Sequence, residues 1–283
     1  LDEGETPDKR LFAYALAKQF YAIAQGSGNA DELVKNYYKP DANVLTFPEY
    51  ATRTQSKYEK TKTPFSDGEE RFLEDVYVCN ILSSRLAATK NRHNRTQEKT
   101  ILNANLDSIS EYSKKVILVA NGGMGKSMML QHLFLDSIEK HLQTGVLPIL
   151  IELRDFSESN DLFNDYIVKT AGTFDENLTS KKVADLMSSG KCQILMDGAD
   201  EIDLSDVNAF QRQITELTDR YPYNQYVIAS RDCDIIRGVQ NFNKLYLRPF
   251  NSAQSSVLID NLLVDYEDEI VKDEITTCME CEY

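Results

Sequence analysis

Residues 120–127 read A-N-G-G-M-G-K-S, and their order suits the binding of a triphosphate. Gly122, Gly123 and Gly125 let the chain curl, so that Asn121, Gly122, Gly123, Met124 and Gly125 can turn backbone N–H groups toward one anion. A helix starting near Gly125–Lys126 would add the positive end of its dipole. Lys126 places a cation for the β- and γ-phosphates, and Ser127 offers a hydroxyl to Mg²⁺. The phosphate-loop pattern is G-x-x-x-x-G-K-[ST]. Ala120 stands at its first glycine, so the entry to the turn must have ordinary backbone angles. The competing reading is a glycine-rich turn with an incidental Lys-Ser pair. An apolar run before the loop and a helical pattern after it weigh against that.

Two further apolar runs end in groups that complement the loop. K-C-Q-I-L-M-D-G-A-D-E-I puts Asp197 at a strand end, 71 positions after Lys126, where open α/β sheets meet their ligands. A carboxylate there suits Mg²⁺, so Ser127 and Asp197 are the candidate metal ligands. Gly198 allows a tight exit from the strand. One of Asp200 and Glu201 is then placed to orient or deprotonate an attacking water. Y-V-I-A-S-R-D-C-D ends the next run on Ser230 and Arg231, whose planar fork fits γ-phosphate oxygens. Asp200, Glu201 and Arg231 are thus the candidate catalytic residues. Acid pairs on surface turns and arginines on solvated loops are commonplace; their coupling to the upstream loop makes these informative.

The elements that must position them follow a regular alternation. Apolar runs rich in β-branched residues occupy 116–120, 147–153, 193–196, 225–229 and 244–247, with helical patterns over 127–143, 160–170, 179–189 and 205–220. Strands alternating with amphipathic helices predict a parallel sheet covered on both faces. Upstream, 11–24 has helical spacing, 25–68 resists assignment, 69–88 is helix-like or mixed, and the basic stretch 89–99 reads as an exposed loop. Residues 252–275 read as a further helix.

Composition bounds the rest. The chain has 283 residues, 42% hydrophobic and 27% charged, with net charge −14. That suits one α/β domain with flanking pieces, and an acidic surface that repels nucleic acid and anionic membrane. No apolar run approaches the ~18 residues of a membrane span. Cys79, Cys192, Cys233, Cys278 and Cys281 are odd in number and irregularly spaced, which fits a reducing, cytoplasmic setting better than a disulfide framework. A single CxxC, at Cys278 and Cys281, is weak evidence for a metal.

Together these residues resemble the NACHT family of P-loop NTPases, within the STAND class, over roughly residues 70–265. M-D-G-A-D-E at 196–201 is similar to that family's Walker B form, L-P-I-L-I-E-L-R-D-F at 147–156 to its second strand, A-S-R at 229–231 to its sensor, and L-R-P-F-N-S-A-Q at 247–254 to its exit into a helical domain. E-D-V-Y-V at 74–78 resembles the segment beside the adenine, making Val76 and Tyr77 its neighbours. The resemblance implies a P-loop three-layer α/β sandwich with a five-stranded parallel sheet in the order 5-1-4-3-2, plus helical flanking segments. It also implies ATP and Mg²⁺, an ADP-bound resting state and ATP-linked self-association, in antiphage defence in bacteria or innate immunity in animals. The expected organisation is an N-terminal region of unknown role over 1–68, a linker beside the nucleotide over 69–100, the NTPase core over 101–250 and the start of a helical domain over 251–283. Ala120 departs from the family's loop. Its winged-helix histidine is not evident either, since His93, His132 and His141 lie in other contexts. A fragment or truncated member is therefore expected, with effector and sensor partners unassigned.

Three functions fit these residues: a slowly hydrolysing signalling switch, a turnover ATPase of the AAA+ kind taking an arginine such as Arg212, Arg220 or Arg237 from a neighbour, and a nucleotide-binding scaffold. Intact Lys126, Ser127, Asp197, Asp200 and Glu201 speak against the scaffold. A GTPase is disfavoured, because Asn243-Lys244-Leu245-Tyr246 has Tyr where the guanine-reading N-K-x-D motif needs Asp.

Overall fold

The five apolar runs are strands, and burial on both faces explains their unbroken hydrophobicity. The structure, a computed structural model, describes residues 45–62, 70–85, 98–157 and 159–264. In chain order the described elements are helix α1 (Pro48–Tyr58), strands β1 (Lys60–Lys62) and β2 (Glu70–Phe72), the single turn α2 (Leu73–Val76), β3 (Leu82–Ser83), β4 (Thr100–Ile101), α3 (Leu106–Tyr112), β5 (Lys115–Val119), α4 (Lys126–Thr144) and β6 (Leu147–Glu152). A π-helical segment (Leu162–Val168) then runs into α5 (Lys169–Phe174), followed by α6 (Ser180–Ser188), β7 (Cys192–Asp197), a 3₁₀ turn (Ala199–Glu201), α7 (Val207–Arg220), β8 (Gln225–Ser230), α8 (Asp234–Arg237), β9 (Asn243–Leu247) and α9 (Ser252–Leu262). The expected helix over 11–24, the Cys278–Cys281 pair and the end of the helix expected over 252–275 lie outside the described residues.

β9, β5, β8, β7 and β6 are parallel neighbours in that order. Numbered by appearance in the core, this is 5-1-4-3-2. The five parallel strands stand as expected, but among the described residues the sheet they form has seven strands, which corrects its expected extent. β3 pairs antiparallel with β9 and β4 antiparallel with β3. Two-residue strands are too short to carry an alternation, so only pairing reveals them.

Several helices have a local reason to start or stop. Asn105 caps α3 and Asn251 caps α9, both in reciprocal capping boxes, with Ser108 and Gln254 respectively. Thr179 caps α6. α4 begins on Gly125 without a side-chain cap and ends on Gly145, both glycines in left-handed conformation. The absent cap leaves the first N–H groups of α4 available to an anion.

α1 falls in the stretch that resisted assignment. Its sequence, PEYATRTQSKY, is mostly polar, and only Tyr50, Ala51, Thr54 and Tyr58 are buried. The Tyr50 hydroxyl donates to Pro148 O at 2.7 Å, and Tyr58 packs edge-on against Phe134. The segment expected to be helix-like or mixed is mixed over its described residues 70–85: β2 and one helical turn lead through irregular chain into β3. All described residues after Leu45 belong to the second of two units, Thr46–Tyr283. The second unit's core is built from fully buried side chains such as Ile117, Leu118, Leu130, Phe134, Phe210 and Tyr226, each contributing about 1.5–3 kcal/mol through burial.

Candidate nucleotide site

The loop after β5 is tied down at its entry, where Ala120 N–H donates to Ser230 O at 3.2 Å. Ala120 is absent from the positive-φ residues, whereas Gly123 (φ 78°) and Gly125 (φ 81°) are among them. The missing first glycine therefore costs nothing here: left-handed backbone is needed only further along. The Lys126 ammonium donates to Ala120 O and Asn121 O, each at 3.1 Å, which folds it back over the loop it serves.

Ser127, on the first turn of α4, lies close enough to the Asp197 carboxylate for its hydroxyl to favour the ionised form. That proximity sets the end of β7 beside the phosphate loop, although the chain between them is long. Burial raises the Asp197 pKa above the usual carboxylate value. The Ser127 hydroxyl opposes this, and the negative charges of Glu201 and Glu152 add to it. A carboxylate crowded by two others and facing a hydroxyl is a hard-oxygen donor set that a divalent cation would relieve.

β8 lies between β5 and β7, so Arg231 at its end can face both neighbours. Its guanidinium carbon lies 3.5 Å from where a Cβ on Gly122 would stand. On the other side, Arg231 Nε contacts Asp200 Oδ2 at 2.9 Å, and the Arg231 backbone N–H donates to Asp200 Oδ1 at 3.0 Å. Both Asp200 oxygens are therefore engaged by one residue. Glu201 has a looser environment, its nearest cation being Arg154 Nε at 3.9 Å. Arg154, at the end of β6, also contacts Glu152 at 3.5 Å. The sequence reading did not single out Arg154, though L-R-D-F at a strand end was its available signal.

A cavity of about 360 Å³ opens beside the loop, within the usual range for small-molecule sites. Val76 and Tyr77 both line it, as do Gly123, Met124 and Gly125 of the loop. The Tyr77 ring stacks on His132 of α4 at 4.2 Å between centroids, and burial raises its phenol pKa further above the ordinary value. The remaining wall, from Arg248 and Phe250 to Ser255 and Leu258, comes from the β9–α9 connection, with Asn80 and Met128 completing the lining. Those residues were missed as site residues. The α9 side is held to the 76–80 segment by Gln254 Nε2, which donates to Cys79 O at 2.8 Å.

His132 Nδ1 lies 3.0 Å from a Glu74 oxygen, while His141 packs under α1, away from this cavity. Among the described residues no cluster of three or more His, Cys, Asp and Glu is arranged to hold a metal, and no helix is long and apolar enough to cross a membrane.

The family model for the NACHT domain matches residues 114–266, which span β5 to α9 and every strand end described above. This chain belongs to the NACHT family. Membership implies a P-loop domain that binds and hydrolyses nucleotide. Solved structures with similarity to this NACHT chain include a DNA replication initiation factor (13% identity, TM-score 0.41, covering 61% of this chain and 53% of that one). AMPPCP-bound DnaA from Aquifex aeolicus (12%, 0.38, 60% and 54%) and RuvB of Thermotoga maritima (14%, 0.33, 60% and 53%) are others. The chain spans about half the length of these structures. No curated protein sequence matches it.

Proposed function

We propose that this NACHT chain is an ATP-binding, slowly hydrolysing switch whose nucleotide state controls self-association. One observation carries the reading: Lys126, the Ser127–Asp197 pair and the Arg231–Asp200 pair meet at the ends of β5, β7 and β8, beside a cavity that also contains the start of α9. In this reading Asn121 to Ser127 hold the phosphates, and Val76 and Tyr77 border the adenine. Ser127 and Asp197 would hold Mg²⁺, which would supply positive charge against the phosphates. Glu201 takes the proton of the attacking water. Arg231 reads the γ-phosphate, and Asp200 positions Arg231.

The cavity joins the phosphate loop to the β9–α9 connection, so an occupant touches the sheet and the helical region beyond it. A change of ligand can then alter how that region packs. Moving a two-state equilibrium from 1:99 to 99:1 takes about 5.5 kcal/mol of differential binding, within reach of several charge-assisted contacts to one γ-phosphate. A cytoplasmic setting, suggested by the cysteine usage, and a role in defence or immune signalling, suggested by the family resemblance, belong to this proposal.

The test is direct titration of ATP and ADP against the chain and its Lys126→Ala variant, together with steady-state hydrolysis at several protein concentrations. A charge-assisted contact contributes about 1.5–3 kcal/mol, so Lys126→Ala should weaken binding by about tenfold or more. Equal affinity in the variant refutes the phosphate assignment. Fast turnover that rises with protein concentration favours a motor-like ATPase over a switch.

A further inference from the structure

The chain from β2 to β3 does more than line the cavity. Its contacts with the β9–α9 stretch run in antiparallel order along the length of both. Ser83 and Leu82 of β3 pair with Tyr246 and Leu247 of β9. The Arg248 N–H then donates to Ile81 O at 2.8 Å, and Gln254 Nε2 to Cys79 O at 2.8 Å. At the far end Arg71 Nη1 donates to Asn261 O at 2.9 Å and to Leu262 O at 3.3 Å. Residues 71–83 therefore form a strap laid along 246–262, and the strap holds α9 at both ends. The cavity lies between this pair and the phosphate loop. Val76, Tyr77 and Asn80 come from the strap, Phe250, Ser255 and Leu258 from the β9–α9 stretch, and the loop supplies the third side.

The two contacts on α9 are made by side chains suited to helix ends. Arg71 reaches carbonyls that the last turn leaves without helical partners, at the negative end of the dipole. Gln254 uses both halves of its carboxamide. Its Oε1 accepts from the Asn251 N–H at 3.1 Å, closing the capping box of α9, and its Nε2 reaches the strap. One side chain thus starts the helix and fastens it to Cys79.

We propose that Gln254 and Arg71 are a two-point latch that holds α9 over the cavity and sets how fast a nucleotide leaves. The assignment rests on the nucleotide reading above and adds to it the control of release. The phosphates are held by the loop, which the latch does not touch. The rest of an occupant is walled by the strap and α9, and loosens when these part. Opening of such a lid limits release in many enzymes. One neutral hydrogen bond shifts an equilibrium by about 2- to 10-fold, and bonds from a charged donor shift it further.

The substitution that separates a latch from a helix cap is Gln254→Glu. Glutamate serves that capping position as well as glutamine, and its charge suits the first turn of a helix. The carboxylate has no N–H to give, however, and meets the Cys79 carbonyl as a second acceptor. A residue that only starts α9 would tolerate the exchange, whereas a latch would not. Arg71→Met removes the other point and keeps an unbranched stem.

The experiment has two arms on the full chain, with melting temperatures recorded for every variant. The first is amide deuterium exchange without nucleotide. Gln254→Glu should speed exchange over residues 77–83 by about 3- to 10-fold, although Cys79 lies 175 positions away. The second is stopped-flow release of N-methylanthraniloyl-ADP chased with excess ADP. Each variant should release it about 3- to 10-fold faster, and the double variant faster still, with the affinity for inorganic pyrophosphate unchanged. Unaltered exchange in Gln254→Glu overturns the latch whatever the chain binds. Faster exchange with unaltered release shows strap and helix to be joined without controlling the occupant; it overturns the proposal and leaves the nucleotide site standing. A parallel loss of pyrophosphate affinity traces the effect to the phosphate loop and also overturns it. If exchange responds but the unaltered chain binds no ADP, the nucleotide reading has failed and the release role falls with it.

Discussion

Neutralising the two acids after β7 one at a time should give unequal results. The Asp200 side chain is 10% exposed and accepts from both the backbone N–H and Nε of Arg231. The Glu201 side chain is 53% exposed, with its nearest cation 3.9 Å away. Asp200→Asn keeps an oxygen for the Arg231 N–H and loses the charge attraction to its guanidinium. Because the Arg231 side chain is 62% exposed, solvent screens that attraction, and its loss should cost about 0.5–1.5 kcal/mol. That corresponds to about a 2- to 10-fold smaller population of correctly held Arg231, and hydrolysis should fall by no more. Glu201→Gln removes the carboxylate left free to accept a proton, and general-base catalysis contributes about 10²–10⁴-fold. Its rate should fall by at least about 100-fold. The assay is single-turnover ATP hydrolysis with protein in excess, read as phosphate release, with ATP affinity measured separately and expected to persist in both variants. Asp200→Asn as slow as Glu201→Gln would refute the division of labour, because the Arg231 pair could not then be the main task of Asp200. A normal rate in Glu201→Gln would remove the base from the mechanism.

Two further outcomes concern pH. Burial and the charges of Glu201 and Glu152 hold the Asp197 pKa above its ordinary 3.8, so protonation begins at a higher pH than for a free carboxyl. The ionised form is the one disfavoured by folding, so Asp197 detracts from stability above its folded pKa, and that cost is relieved as pH falls through it. Mg²⁺-dependent ATP affinity should decline over the same acid limb, while the weaker affinity of Asp197→Asn should stay flat; parallel profiles would discount Asp197 as the metal ligand. His141 accepts from Phe47 N–H at Nε2 (2.9 Å) and lies 2.8 Å from Val146 O through Nδ1, an arrangement that needs the neutral ring. Burial lowers its pKa below 6.5, so its contribution to stability is present above that value and lost as pH falls through the lowered folded pKa. The melting temperature should drop as pH falls below 6.5, and His141→Phe should flatten that slope. An unaltered slope in the variant would assign the effect to other groups.

Much of the candidate phosphate site is legible in short stretches of chain, because its requirements are local. Glycine spacing, a lysine at the head of a helix and an acid at the end of an apolar run are each set by a few adjacent residues. Val76 and Tyr77 were placed beside the base by resemblance, and both line the cavity. The parallel core follows from the alternation of apolar runs and helical patterns, since a strand buried on both faces must be hydrophobic throughout.

What only the tertiary structure decided lies between residues far apart in sequence. Asp200 and Glu201 are adjacent acids with no local difference, and they acquire separate surroundings because β8 delivers Arg231 to one of them. Asn80 looks like any loop asparagine until the β9–α9 connection closes over the cavity it lines. α1 has too polar a pattern to be recognised alone, and it is held by Tyr50 reaching Pro148, 98 positions away. β3 and β4 exist only through the partners they pair with. Chemistry carried by consecutive residues can be read along the chain. Chemistry that depends on which side chain excludes water from another, or offers it a charge, arises only when the strands have been brought side by side.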